Sequence, residues 1–119
     1  MELEKVGFNY RGEEFSLEVH RCKRFEMFSG LMFKRREKAK ALLFDFKKEV
    51  KLNFHSLFVF FPFVAIWFDD KNRVLDVKKI KPFKINLPSR KPFTKVIEIP
   101  INKEYRALTK SLVGDTKSL

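Results

Sequence analysis

The side chains equipped for chemistry are few and scattered: two histidines, one cysteine, and carboxylates set singly among apolar residues. Covalent catalysis needs a nucleophile, a base within hydrogen-bond reach and a third group that orients the base. Cys22 lies two positions from His20, but the residue pattern changes from strand to helix between them, so a structural cysteine is expected. His55 falls in a phenylalanine-rich run on the side shared with Leu57 and Val59. A lone histidine in such a run is a hydrogen-bonded core group before it is a base. Glu98 alternates against Ile97 and Ile99 and is expected to point outward into solvent. His55 and Glu98 are kept as the lining of a candidate pocket. No residue is assigned a catalytic role, and a non-enzymatic protein is favoured over an enzyme, for which the residues give no support. Two separated histidines give no metal-ligand spacing, four scattered glycines give no phosphate loop, and no cofactor is expected.

Charge is the stronger signal. The 119 residues carry 26 Lys and Arg against 15 Asp and Glu, a net of +11. The first twenty residues hold five acids and two bases, so the remainder carries +14. The longest acid-free basic stretch, KKIKPFKINLPSRKPFTK, repeats Lys-Pro-Phe at Lys81-Pro82-Phe83 and Lys91-Pro92-Phe93. Rings beside cations are the ingredients of single-strand recognition, where bases stack and phosphates meet lysine. The candidate anion-binding residues are therefore Arg35, Arg36, Lys78, Lys79, Lys81, Phe83, Lys84, Arg90, Lys91, Phe93 and Lys95, with nucleic acid or another polyanion as partner. The bland alternative is that both phenylalanines pack inward and the lysines only solvate the surface.

Composition sets the class. Apolar residues make up 45% of the chain and charged residues 34%, which suits one folded, soluble domain spanning 1–119. A single cysteine excludes an internal disulfide. Absent glutamine with abundant lysine and glutamate is a balance found in proteins from hot habitats. The run LFVFFPFVAIWF, Leu57 to Phe68, is too short for a bilayer helix, is broken by Pro62 and is closed by Asp69-Asp70. With no secretory signal at the N-terminus, a cytoplasmic location is expected.

The elements that must position these residues follow from periodicity. Glu14 to His20 alternates as a half-buried strand. Cys22, Phe25, Phe28 and Met32 fall at helical spacing before a basic connection, KRREKAK, from Lys34 to Lys40. Ala41–Phe46 and Phe54–Phe61 read as strands, and Pro62 separates the latter from a further strand, Phe63–Phe68. The polar turn Asp69-Asp70-Lys71-Asn72 predicts a hairpin into Arg73–Ile80. Thr94–Ile99 is a strand ended by Pro100, and Asn102 is placed to cap a helix with Ile101, Tyr105, Leu108 and Leu112 on its apolar face. About seven strands with one or two short helices predict a mainly β domain, an antiparallel sandwich or small jelly-roll-like barrel.

Several blocks occur together in order: Gly30-Leu31-Met32-Phe33-Lys34, Leu42-Leu43-Phe44-Asp45-Phe46, Phe54 through Pro62, Phe68-Asp69-Asp70, Lys81-Pro82-Phe83, Val96-Ile97-Glu98-Ile99-Pro100 and Val113-Gly114-Asp115. In this order the chain resembles the domain of unknown function 192 family. The resemblance implies a compact β-rich fold of jelly-roll type and no established activity. It also marks departures: Met27 where relatives keep an arginine, Val64 where they keep an aspartate, and Asn102 where they keep a glycine. A polar site built on those charged residues in relatives would be altered here. Three functional expectations result: first a non-enzymatic module binding an anionic partner, then a structural or interaction module that self-associates into a homo-oligomer through its phenylalanine-rich strands, and last a small-ligand protein or enzyme with His55 and Glu98 lining a pocket.

Overall fold

The computed structural model describes residues 2–22, 31, 34–50, 53–54, 61–82, 87–88 and 91–114. The first element, β1 (Glu2–Tyr10), pairs antiparallel with β2 (Glu13–Arg21). Arg11 and Gly12 close this hairpin with φ of 51° and 78°, the left-handed backbone that a two-residue turn between twisted strands requires. The strand β1 was not expected from the sequence, although Val6, Phe8 and Tyr10 alternate on one side. Their spacing was the available signal.

The other strands are β3 (Leu42–Val50), the short β4 (Asn53–Phe54), β5 (Phe63–Phe68), β6 (Val74–Ile80), the short β7 (Leu87–Pro88) and β8 (Phe93–Pro100). Six of them form one sheet in the order β1-β2-β3-β8-β5-β6, and β4 pairs with β7. All neighbours are antiparallel except β2 and β3, which run parallel and pair only at His20–Leu42 and Arg21–Leu43. With so short a join, the β1–β2 hairpin departs from β3 and folds across one face of the sheet, where Phe8 meets Phe15 and Phe68 at centroid distances of 5.4 and 5.5 Å. The result is the mainly β fold expected, as a curled sheet rather than two equal layers.

Both faces of that sheet are covered. On the inner face Val19, Leu43, Val64, Ile66, Ile97 and Ile99 pack with the hairpin and with α1 (Arg106–Val113). On the outer face Leu42, Phe44, Phe63, Trp67, Phe93 and Val96 pack with Cys22, Leu31, Ala39 and Phe61. Every residue of β5 is buried as a consequence. The apolar run of the sequence is thus an interior strand from Phe63 to Phe68, and of the strand expected at Phe54–Phe61 residues 55–60 lie outside the described residues, with Phe54 in β4 and Phe61 buried outside any strand. The expected helix between Cys22 and Met32 also lies outside the described residues.

Local chemistry fixes the turns. Asp69 accepts from the backbone N–H of Lys71 and of Arg73, each at 2.9 Å, and Asn72 takes φ 61°, which builds the expected hairpin. At the other end Tyr105 N–H donates to Asn102 Oδ1 at 3.2 Å, so Asn102 caps the turn that leads into α1. Ile101, Tyr105 and Leu112 are buried as the helical spacing required.

One charged cluster sits at the edge of the inner face. Arg21 donates to both carboxylate oxygens of Glu4 at 2.8 and 3.1 Å and to Asp45 Oδ2 at 3.0 Å. Burial alone would raise Asp45, but Arg21, the Lys47 N–H and nearby Lys95 outweigh it and hold the carboxyl below its usual range. Arg21→Met keeps the packing of the stem and removes the charge. Urea unfolding is expected to show a loss of about 1–2 kcal/mol, since two partly buried carboxylates lose their shared donor.

Candidate functional site

Strand alternation decides where the basic residues go. Lys78 pairs with Ala65 and faces outward with Trp67, its Nζ 5.7 Å from the indole centroid and 3.7 Å from Asp76 Oδ2. Lys79 pairs with Val64, and Lys95 with Asp45 and Phe68, so both belong to the inner face. Lys81 and Lys91 are exposed beside the ends of β6 and β8. The described members of the stripe therefore do not form one surface. Phe93 is fully buried and edge-on to Phe46, with centroids 5.8 Å apart, so its ring is closed to a stacking base. Phe93 is therefore not the stacking ring expected from the sequence: the strand turns it into the outer core. Phe83, Lys84 and Arg90 lie outside the described residues, as does His55.

The other basic segment is held in place. Residues 36–38 form a single 3₁₀ turn with no buried side chain. Asn102 is 2% exposed and its Nδ2 donates to the carbonyls of Arg36 at 2.8 Å and Ala39 at 3.0 Å. Arg36 Nε donates to the Ile101 carbonyl at 2.6 Å, and Glu37 Oε1 accepts from Lys103 N–H at 2.9 Å. Lys40 pairs with Glu104 at 2.5 Å, and Ala41 N–H donates to the Tyr105 hydroxyl at 2.9 Å. These contacts seat the segment 34–41 against 101–105. Lys34, Arg35, Arg36, Lys38 and Lys103 are exposed along the ledge this junction forms, interspersed with the exposed Glu37 and Glu104. Sequence reasoning singled out Arg35 and Arg36 here but missed Lys34, Lys38 and Lys103. More than sixty positions separate Lys38 from Lys103, and only the buried amide of Asn102 announces the junction.

Glu98 corrects the sequence expectation. It is 8% exposed, on the outer face between Leu42 and Ala65, with Val96 and Pro100 two positions to either side. Alternation was read correctly, but the side opposite Ile97 and Ile99 is covered as well. Burial pushes its carboxyl up to about 8, and among the described residues no group hydrogen-bonds it. At neutral pH it is predominantly a protonated acid, a hydrogen-bond donor in an apolar wall. Val64 is fully buried on the inner face, opposite in the sheet to Glu98. An aspartate at that position would not join Glu98 in one site.

Cys22 is a buried thiol in the outer core, as expected of a structural cysteine. Among the described residues no three His, Cys, Asp or Glu side chains cluster as metal ligands, and no helix is long and apolar enough to cross a membrane.

No curated protein matches this chain. Two solved structures share the fold. One is a candidate transcription regulator from Sinorhizobium meliloti 1021, 19% identical, with a TM-score of 0.72 over 90% of this chain and 85% of the other. The second is a protein of unknown function from Novosphingobium aromaticivorans DSM 12444, 20% identical, with a TM-score of 0.69 over 90% and 79%. At such identities the likeness is one of fold. The family model described as "Uncharacterized ACR", domain of unknown function 192, matches residues 7–109, and the chain belongs to that family.

Proposed function

We propose that this protein is a binding module for an anionic partner, nucleic acid among the polyanions it would accept, and that it does not act as an enzyme. The observation that carries the reading is the ledge of Lys34, Arg35, Arg36, Lys38 and Lys103, fixed to the core through Asn102. Preset cations lose less freedom on binding than lysines on a loose loop, so the same charge gives more affinity. The stripe at 78–95 is the weaker surface, because its described lysines divide between two faces.

The test is a salt titration of affinity for a single-stranded oligonucleotide and for heparin. Replacing Lys34, Arg35 and Lys38 together by alanine is expected to weaken binding at least tenfold near 0.1 M salt. The slope of log affinity against log salt should fall by about 2, since each single-strand phosphate contact contributes roughly 0.7. Replacing Lys79, Lys81 and Lys91 instead should change affinity less. Equal losses from the two triple variants, or no salt-dependent binding by the parent, would reject the reading.

A second reading rests on Glu98. A buried acid with no described partner is a costly group, and a small ligand presenting a hydrogen-bond acceptor on the outer face would satisfy it. A compound that protects the protein against heat in the parent but not in Glu98→Leu would support that alternative.

A further inference from the structure

The basic ledge does not end at Lys103. Asn102 Oδ1 accepts from Tyr105 N–H, so the turn that carries Lys103 runs directly into α1. Tyr105, Thr109 and Leu112 point into the core, and at about 3.6 residues per turn the opposite side of the helix holds Lys103, Arg106, Ala107 and Lys110. All four are exposed. The helix RALTKSLV contains no acid, and among the described residues neither Arg106 nor Lys110 pairs with a carboxylate.

The acids of the ledge are already engaged. Glu37 Oε1 accepts from Lys103 N–H at 2.9 Å, and Glu104 pairs with Lys40 at 2.5 Å. From Lys103 to Lys110 the helix rises about 10 Å, a length over which one strand of a duplex presents about three phosphates. Rings are missing from this surface. No described aromatic side chain is exposed, and Tyr105 beneath it is buried with its hydroxyl accepting from Ala41 N–H at 2.9 Å. Aligned cations without a ring draw affinity from phosphates and gain nothing from an unpaired base. A duplex, with roughly twice the charge of one strand per unit length, is the better complement.

We propose that the ledge and the exposed side of α1 form one track for the phosphodiester backbone of a nucleic-acid duplex, held by charge and without readout of sequence. This rests on the polyanion binding proposed for the ledge, and it adds the partner class and two residues, Arg106 and Lys110. Lys48 and Lys71 are exposed at the opposite end of the sheet, where β3 ends and β5 turns into β6, and they supply a charge-matched comparison.

The experiment is a salt titration, by fluorescence anisotropy, of the full chain's affinity for two short duplexes of unrelated sequence and for an oligothymidylate of the same length. The duplexes should bind within about twofold of each other and at least as tightly as the single strand. Arg106→Ala combined with Lys110→Ala is expected to weaken duplex binding about tenfold near 0.1 M salt. It should lower the salt slope by about 1.8, since each duplex phosphate contact contributes roughly 0.9. Alanine is the best helix former, so this variant keeps α1. Lys48→Ala combined with Lys71→Ala should change affinity less than about twofold. The track is overturned, with polyanion binding at the ledge intact, if the α1 variant matches the parent or loses no more than the comparison variant while replacement of Lys34, Arg35 and Lys38 still weakens binding. A single strand held about tenfold more tightly than the duplexes, or one duplex so preferred over the other, would assign the surface to base recognition and overturn it as well. Absence of salt-dependent binding to all three ligands would remove both the track and the ledge.

Discussion

Asn102→Ala is expected to destabilise the protein by about 3–4 kcal/mol, far more than an ordinary polar-to-alanine change. The parent amide satisfies two carbonyls, those of Arg36 and Ala39, and caps the Tyr105 N–H. Alanine leaves all three to find other partners at a buried junction. Each orphaned group costs about 1–3 kcal/mol, and loss of a cap typically about 1, with the terms overlapping because they share one site. Asn102→Asp separates the roles. It keeps an acceptor for Tyr105 but turns a carboxylate toward two carbonyl oxygens, so it should be at least as damaging as alanine. Urea midpoints measure the loss, and hydrogen exchange at Ala39 and Ala41 shows whether segment 34–41 loosens ahead of global unfolding. A loss under about 1 kcal/mol would mean that the segment is held by other contacts. There is also a functional readout. No charge changes in Asn102→Ala, yet affinity for a polyanion should fall, because the ledge would have to be ordered on binding.

What the sequence made legible was local. The polar turn at Asp69–Asn72, the break at Pro62, the strand ended by Pro100 and the buried face of α1 each follow from residues within a few positions of one another. Legibility failed where the third dimension decides. Alternation normally assigns one side of a strand to solvent, but this sheet is covered on both faces, so β5 has no polar side and Glu98 is buried where a carboxylate was expected to be solvated. Strand alternation also divides the lysines that look like a stripe on paper, sending Lys78 and Lys79 to opposite faces. Conversely, Lys38 and Lys103 belong to one ledge because a buried asparagine reaches across more than sixty residues of chain. The family resemblance supplied the fold and left function open.

Glu98→Gln is expected to reverse sign with pH when its stability is compared with the parent. Unfolded Glu98 titrates near 4.5, and burial raises the folded group to about 8. Below the lower value both states are protonated, so Glu98 then contributes no pH dependence. Between the two values the unfolded chain has released the proton that the folded chain keeps. The native state therefore binds more protons, and stability falls as pH rises, by up to about 1.4 kcal/mol per unit. Above about 8 both states are ionised and the loss levels off, at roughly 5 kcal/mol. Glutamine cannot ionise, so the variant should match the parent or fall slightly below it at pH 4 and exceed it by several kcal/mol at pH 9. Asp45 and Asp69, both held below their usual range, act in the opposite direction. Their stabilisation is lost as pH falls, and because parent and variant share it, it cancels in the difference between them. Denaturant midpoints taken from pH 4 to pH 9 give that difference directly, and a flat result would mean that Glu98 is solvated or paired in the folded protein. A rising difference curve would establish that a carboxylic acid is kept protonated at neutral pH in the outer core, and that any ligand accepting its proton in a hydrogen bond must move the upper limit of the curve to higher pH.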